Sequence, residues 1–479
     1  MNLPNTIAAA ACCIGLVPAL LAAQHPHLSA ETKQYVVVDT PVVVLRHVRV
    51  IDGTGAAPRD DQTIVVSHGL ITATGNAATT QVPAGAQILD LPGRTVMPGL
   101  VMLHEHMFYP TGGVLILNEG GYSFPKLYLA GGATTIRTAG SMEPYTDLNL
   151  KAMIDTGAVP GPRIDVTGPY IEGPGMDLYQ VHPLSSPADA TDMVRYWAEH
   201  GATSFKLYMH VTRAEMGAAI AEAHRHNLKI TGHLCSVTFR EAAALGIDNL
   251  EHGIVVASDF VRDKQPDVCP KDGAVASSIA AIDIAGDSVS ALIRDLVSKH
   301  VAMTSTLGVF ETFAAHRPPI IPGALAAMTP EARVQYLEGR SQIGDDTSSL
   351  GTTLLHKEMQ FERAYAAAGG LLLSGSDPTG FGGVVPGYSN EREIELLVEA
   401  GFTATEAIRI SSLNGAQYLG RADHIGSIAA GKAADLLVVR GDPSTRIRDI
   451  EKAEMVFKDG VGYDSERLFR AARGVVGLH

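Results

Sequence analysis

The sequence predicts an α/β protein: a (β/α)8 barrel of parallel strands and helices, with a small β-sandwich domain assembled from the two ends of the chain. Three observations predict it. Eight short apolar runs alternate with longer segments of helical spacing, β-rich stretches flank this body on both sides, and metal-ligating residue types recur at the carboxyl ends of the apolar runs. A chain of 479 residues suits a barrel of roughly 250–300 residues plus a smaller module.

The first element is not structural. Ile7–Ala23 is uncharged and ends in small residues, so residues 1–23 read as a signal peptide, too short and too broken by Gly15 and Pro18 for a membrane span. The leading MNLPNT has no Lys or Arg and Leu21 occupies the −3 position, so a misassigned start or an uncleaved anchor is the competing reading. Export to the periplasm or the medium is expected, with no membrane attachment after removal of the signal. A cytoplasmic location follows if the segment is not a working signal.

Next come short strand patterns at Val36–Leu45, His47–Ile51, Thr63–Val66, Leu70–Ala73 and Gln87–Leu91, separated by turn residues such as Asp52-Gly53-Thr54-Gly55. Similar material returns at Ala434–Val439 and Glu454–Lys458. Residues 36–96 and 425–465 are therefore assigned to one composite sandwich, and 97–424 to the barrel. The barrel strands are expected at Val96–Leu103, Thr134–Thr138, Ile164–Thr167, Ser204–Tyr208, Lys229–Thr231, Asn249–Glu251, Val301–Thr306 and Leu371–Ser374. Helical spacing follows most of them, as at Ala188–His200, Arg213–His226 and Ser288–His300. An open doubly wound sheet is the alternative, but the first strand runs into His104-Glu105-His106 where that fold has a glycine-rich phosphate loop.

Composition narrows the function. With 46% hydrophobic and 18% charged residues the chain has material for a large core. Its net charge of −14 leaves no basic stripe to neutralise phosphates, which excludes nucleic acid and points to a small-molecule substrate; a homo-oligomer stays open. Beyond the leading segment only Cys235 and Cys269 remain, too few for a disulfide framework. Cys235, two residues after His233, invites a ligand reading, although a buried structural thiol is the more ordinary one.

The chemistry lies in residue types at strand ends. His104 and His106 alternate on one strand, so both imidazoles can face one ion; such a pair is weak evidence alone. Lys206 interrupts an apolar strand that would ordinarily exclude it. His233, His252 and Asp377 close the fifth, sixth and eighth runs, on the face where barrels build active sites. Imidazole and carboxylate ligands suit Zn²⁺, and a catalytic site leaves a position open for water.

Together these stretches resemble the amidohydrolase superfamily of binuclear metal-dependent hydrolases, whose members are built on this TIM-type barrel. The carrying motifs are Met97-Pro98-Gly99-Leu100 with His104-Glu105-His106, Phe205-Lys206-Leu207-Tyr208, Gly232-His233, Glu251-His252-Gly253, Gly375-Ser376-Asp377 and the tail Asn414-Gly415-Ala416 with Gly431-Lys432-Ala433-Ala434-Asp435-Leu436. The resemblance implies two divalent metals, zinc by expectation, bridged by a CO2-derived carbamate on Lys206. His104, His106 and Asp377 would hold one metal, and His233 and His252 the other. Met102 departs from the pattern, since many members have an aspartate there; that residue is not a ligand, so the metal set stands.

It further implies a hydroxide bridging the metals as nucleophile, with Asp377 relaying its proton to the leaving group. Lys206-x-Tyr208 resembles the carboxypeptidase and prolidase-like dipeptidase branch. Tyr208 and Arg137 are thus candidate substrate contacts, Arg137 for a free carboxylate, with rim packing and a rim salt bridge as their plainer readings. The expected reaction is cleavage of an amide, in a dipeptide or N-acyl amino acid. Lactone, ester or carbamate hydrolysis is the alternative, and a non-catalytic metal-binding protein the remote one. Ser258–Gly286 and Ala314–Gly351 read either as lids or as plain surface insertions.

Overall fold

The computed structural model describes residues 27–111, 116–176, 178–271, 273–380 and 382–477. The expected signal segment, residues 1–23, lies outside them. The body is α/β. Among the described residues two parallel ladders form its centre: a three-stranded one of Leu100–Glu105, Ala133–Thr138 and Arg163–Asp165, and a six-stranded one that runs in chain order. The second comprises Thr167–Ile171, Ser204–Leu207, Lys229–Gly232, Asn249–Glu251, Ala302–Ser305 and Leu372–Ser374.

Two expected strands differ. The run Val96–Leu103 divides at Gly99, so that Arg94–Pro98 pairs with Leu436–Arg440 while Leu100–Glu105 enters the parallel sheet. The third run is two strands, Arg163–Asp165 and Thr167–Ile171, which belong to different ladders.

The ladders do not join into a single closed ring among the described residues, and both seams have a visible cause. At the first, Thr138–Ser141 meets Thr167–Pro169 through side-chain bonds from Thr138 and Thr167 and one backbone bond, Ser141 N–H to Gly168 O at 3.1 Å. At the second, the Asp377 N–H donates to His104 O at 3.0 Å, and Gly375 lies so close to the His104 backbone that no Cβ would fit. The π-helical turn Ile410–Asn414 packs against both strands there, and Asn414 Nδ2 donates to Leu372 O at 2.8 Å. Isolated backbone bonds and side-chain bonds thus stand where a continuous ladder would run.

The surrounding helices follow the predicted spacing. Pro187–Glu199 is capped by Ser186, and Arg213–Arg225 starts with a capping box in which Thr212 and Glu215 satisfy each other's backbone N–H groups. Their apolar faces join a core around Ile136, Phe205, Ile230 and Leu250.

Both ends of the chain form one nine-stranded mixed sheet, in the order Val36–Val38, Val461–Asp464, Ala453–Lys458, Leu436–Arg440, Arg94–Pro98, Val42–Val50, Arg59–Ser67 and Leu70–Asn76, with Gln87–Asp90 also against Val42–Val50. It encloses a core of its own in which Val43, Leu45, Ile64 and Val66 pack with Val96, Leu436 and Phe457.

Cys235 and Cys269 form a disulfide with their Cα atoms 4.8 Å apart, which replaces the free buried thiol expected from sequence. The partner comes from a segment 34 residues on, a proximity that only the tertiary fold creates.

Candidate metal centre

The candidate ligands sit in or just past five of the parallel strands. His104 lies in Leu100–Glu105 and His106 just past it, Lys206 lies in Ser204–Leu207, and His233, His252 and Asp377 follow their strands by one to three residues. His252 and Asp377 have φ of +68° and +48°. Left-handed backbone is unfavourable for residues with a Cβ, by about 1–2 kcal/mol each, and such strain tends to concentrate at functional sites.

The side chains converge. His104, His252 and Asp377 each present a ligand atom within 4.8 Å of the others, all buried. His106 Nε2 stands 3.3 Å from Asp377 Oδ1, and His104 Nε2 stands 3.7 Å from Asp377 Oδ2. Lys206 Nζ is 3.2 Å from His104 Nε2. The His233 ring centroid is 4.4 Å from that of His252.

The outward nitrogens have their own partners. His104 Nδ1 lies 2.7 Å from Glu251 Oε2, and His106 Nδ1 lies 3.2 Å from Gly140 O. With the proton on Nδ1, each Nε2 lone pair is left facing Asp377, the tautomer a metal ligand requires.

Electrostatics agrees with that reading. Burial pushes the histidines down, His106 to about 4 and His233 and His252 also below the ordinary value, so they are neutral donors near pH 7. Burial opposes the charge on Asp377, but positive charge or donated protons from the surrounding His104, His106 and His252 hold its carboxyl well below the usual range. Burial lowers Lys206 to about 8 against the pull of Glu251 and Asp377, so a neutral amine is accessible near neutral pH. A neutral amine is what CO2 needs to form a carbamate. A buried set of neutral imidazoles and one carboxylate therefore fits a divalent metal ion.

One expected role is corrected. Arg137 does not face the substrate space: it is 1% exposed, and donates to Leu103 O at 2.7 Å, Asn249 Oδ1 at 2.9 Å and Glu251 Oε1 at 2.7 Å. Its Nε and Nη2 are committed to Leu103, Asn249 and Glu251, and the whole side chain is buried away from the cavity lining, its Nη1 unpartnered. Tyr208 does face the cavity, its ring 4.9 Å from those of Tyr170 and His233. His182 is exposed and pairs with Asp189.

Sequence reasoning missed three residues. Glu251 orients His104 while bound to Arg137 and Thr231; it was hidden because consecutive strand residues should face opposite ways, and the left-handed turn at His252 breaks that alternation. Tyr170 pairs in register with Lys206 and places its hydroxyl 3.5 Å from His106 Nε2, but it lay beyond the expected end of the third strand. Glu105, pushed up to about 8 by burial, accepts from Ser376 N–H at 2.9 Å and Asn390 Nδ2 at 2.7 Å, tying the His104 strand to the Asp377 turn.

A cavity of about 280 Å³ opens above these groups. Its floor is His106, Lys206, His233, His252 and Asp377, and its walls include Phe108, Tyr170, Tyr208, Phe310 and Phe313. Neither Ser258–Gly286 nor Ala314–Gly351 contributes a described residue to the lining.

Comparison with known proteins fits this geometry. Residues 356–461, which include Asp377, match the model of the amidohydrolase family. The enamidase of Eubacterium barkeri is 28% identical over 174 residues, a match covering 31% of this chain and 44% of the enamidase, so the similarity spans less than half of that relative. A putative prolidase from Bifidobacterium longum shares the fold at a TM-score of 0.66 and 24% identity, over 90% of this chain and 98% of that one. A Xaa-Pro dipeptidase with methionine bound in its active site aligns at a TM-score of 0.66 and 19% identity, over 88% and 100% of the two chains.

Proposed function

We propose that this chain is a metal-dependent hydrolase that cleaves an amide bond of a small molecule, with two divalent ions, zinc by preference, held at the mouth of a (β/α)8 barrel. The supporting observation is the convergence of His104, His106, His252, Asp377 and Lys206 at strand ends in one buried cluster. The amidohydrolase match and the enamidase similarity support the bond type.

His104, His106 and Asp377 would hold one ion and His233 and His252 the other, with Lys206, carboxylated on Nζ, between them. Bound there, the ions would supply Lewis acidity and bring the pKa of a water near neutrality. Glu251 fixes the His104 ring, and Gly140 O fixes that of His106. Asp377 is ionised and buried beside them, placed to accept a proton and return it to the leaving amine. The hydroxyls of Tyr170 and Tyr208 stay protonated, because burial raises both above the ordinary tyrosine value, and so serve as donors to a substrate oxygen. The walls exclude bulk water from the reacting bond. A free carboxylate on the substrate loses the support that Arg137 would have supplied.

Residues 36–96 with 425–465, and 97–424, act in this reading as a sheet domain and a catalytic domain. Export is supported by the Cys235–Cys269 disulfide, which persists in an oxidising compartment.

The test is metal analysis of the purified protein together with a screen of amides, lactones, esters and carbamates. About two ions per chain are expected, with amide turnover that Lys206→Ala abolishes. Full activity of Lys206→Ala, or a metal-free protein that hydrolyses at the same rate, would refute the reading.

A further inference from the structure

The cavity separates its polar and apolar surfaces sharply. Polar groups gather around the histidines, Lys206 and Asp377, with the Tyr170 hydroxyl 3.5 Å from His106 Nε2 and the Thr379 hydroxyl donating to Asp377 at 2.8 Å. Higher up the lining is apolar. Phe108 stacks on His106 with ring centroids 4.4 Å apart and planes 25° from parallel. Phe310 stands edge-on to His252 at 5.7 Å and touches Phe313 at 6.2 Å. Met142, Leu117 and Leu178 complete the wall on the Phe108 side. An aromatic residue therefore flanks the metal centre on each side, beside a different ligand histidine.

Positive charge is missing from those walls. Lys206 is the only lysine or arginine among the described lining residues, and it belongs to the floor. The residues outside the described set contain no lysine or arginine in the sequence, so they add no cationic side chain. Arg137 is held by Glu251 beneath the floor. A carboxylate taken into such a space would exchange water for aromatic and aliphatic carbon with no charged partner on the walls, which is strongly unfavourable. An aromatic ring would bury its faces against Phe108 and Phe310 and gain by doing so. The chain's net charge of −14 also disfavours the approach of an anion. A volume of about 280 Å³ holds one small organic molecule and little more.

We propose that the site selects uncharged amides bearing an aromatic or bulky aliphatic group, seated between Phe108 and Phe310, and discriminates against a free carboxylate next to the scissile bond. The proposal deepens the hydrolase reading and rests on it for the bond cleaved. It separates this chain in substrate class from relatives whose names refer to dipeptides.

A matched pair tests it: N-acetylphenylalanine and N-(2-phenylethyl)acetamide differ only by the carboxylate. Turnover by the zinc-loaded protein and binding by calorimetry are measured for both. The neutral amide should show at least a tenfold higher kcat/KM and at least a tenfold lower Kd. Phe310→Ala should weaken binding of the neutral amide about tenfold, and Phe310→Tyr should restore most of it. Equal or tighter binding of the carboxylate compound overturns the proposal. If neither compound is hydrolysed, the amide-hydrolase reading is in question, and the ratio of the two Kd values still decides this one. Unchanged binding of the neutral amide by Phe310→Ala, in protein that melts like wild type, also overturns it.

Discussion

Replacing Arg137 with methionine separates a structural role from a substrate-binding one. The Arg137–Glu251 pair is 2.7 Å apart, with the two side chains 1% and 0% exposed, so solvent screening does not weaken it. Removing one member of such a buried pair leaves the other charge without its partner and costs about 3–5 kcal/mol. The same substitution takes the Arg137 donor away from Leu103 O and leaves Asn249 Oδ1 with the Thr304 hydroxyl at 3.1 Å. An unfolding entropy of about 2.1 cal/mol/K per residue makes each kcal/mol worth roughly 1 °C in a chain of this length. Tm should therefore fall by about 3–5 °C. Because Glu251 also orients His104, zinc affinity should fall with it, measured by competition with a chromogenic chelator. The ratio of kcat/KM between N-acetylphenylalanine and N-(2-phenylethyl)acetamide should stay at its wild-type value. A variant of unchanged Tm whose KM rises only for the carboxylate compound would show that Arg137 touches substrate and that the buried-pair account is wrong.

Other perturbations probe the neighbouring supports. Glu251→Gln keeps the size of the side chain but weakens its hold on His104; metal affinity should drop about 10–100-fold, and wild-type affinity would remove Glu251 from the site. Reduction of Cys235–Cys269, or the double replacement by serine, should lower stability by roughly 3–4 kcal/mol, as expected for a loop of 34 residues, read as the urea midpoint; two titratable thiols in the native oxidised protein would disprove the bond. Glu358 grips the turn after His252, accepting from Val255 N–H at 3.0 Å, and burial pushes it up from 4.5 to about 8. The fold thus favours its neutral form, whose contribution is complete below about pH 4.5 and is lost as the pH rises through 8. Wild type should lose stability from pH 6 to 9, and Glu358→Gln should lose less; identical pH profiles would refute the assignment.

The alternation of apolar runs and helical spacing located most of the parallel strands and the helices between them, because backbone periodicity is a local property. Chemistry at strand ends was legible for the same reason. His104 and His106 share a face through strand alternation, and Lys206 stood out in a run that should have rejected it. What the sequence by itself determined, then, was the α/β class and a set of candidate ligands, of which His104, His252 and Asp377 converge in the fold. The tertiary structure alone decided the partnerships. It turned Arg137 inward to Glu251, because a guanidinium enclosed among the parallel strands must pair with the nearest buried carboxylate. It split the third strand, which brought Tyr170 beside Lys206, and it joined Cys235 to a cysteine in a distant loop. It also set aromatic walls without a lysine or arginine beside the candidate ligands. None of these depends on neighbours in sequence; each depends on which surfaces meet when the chain closes on itself.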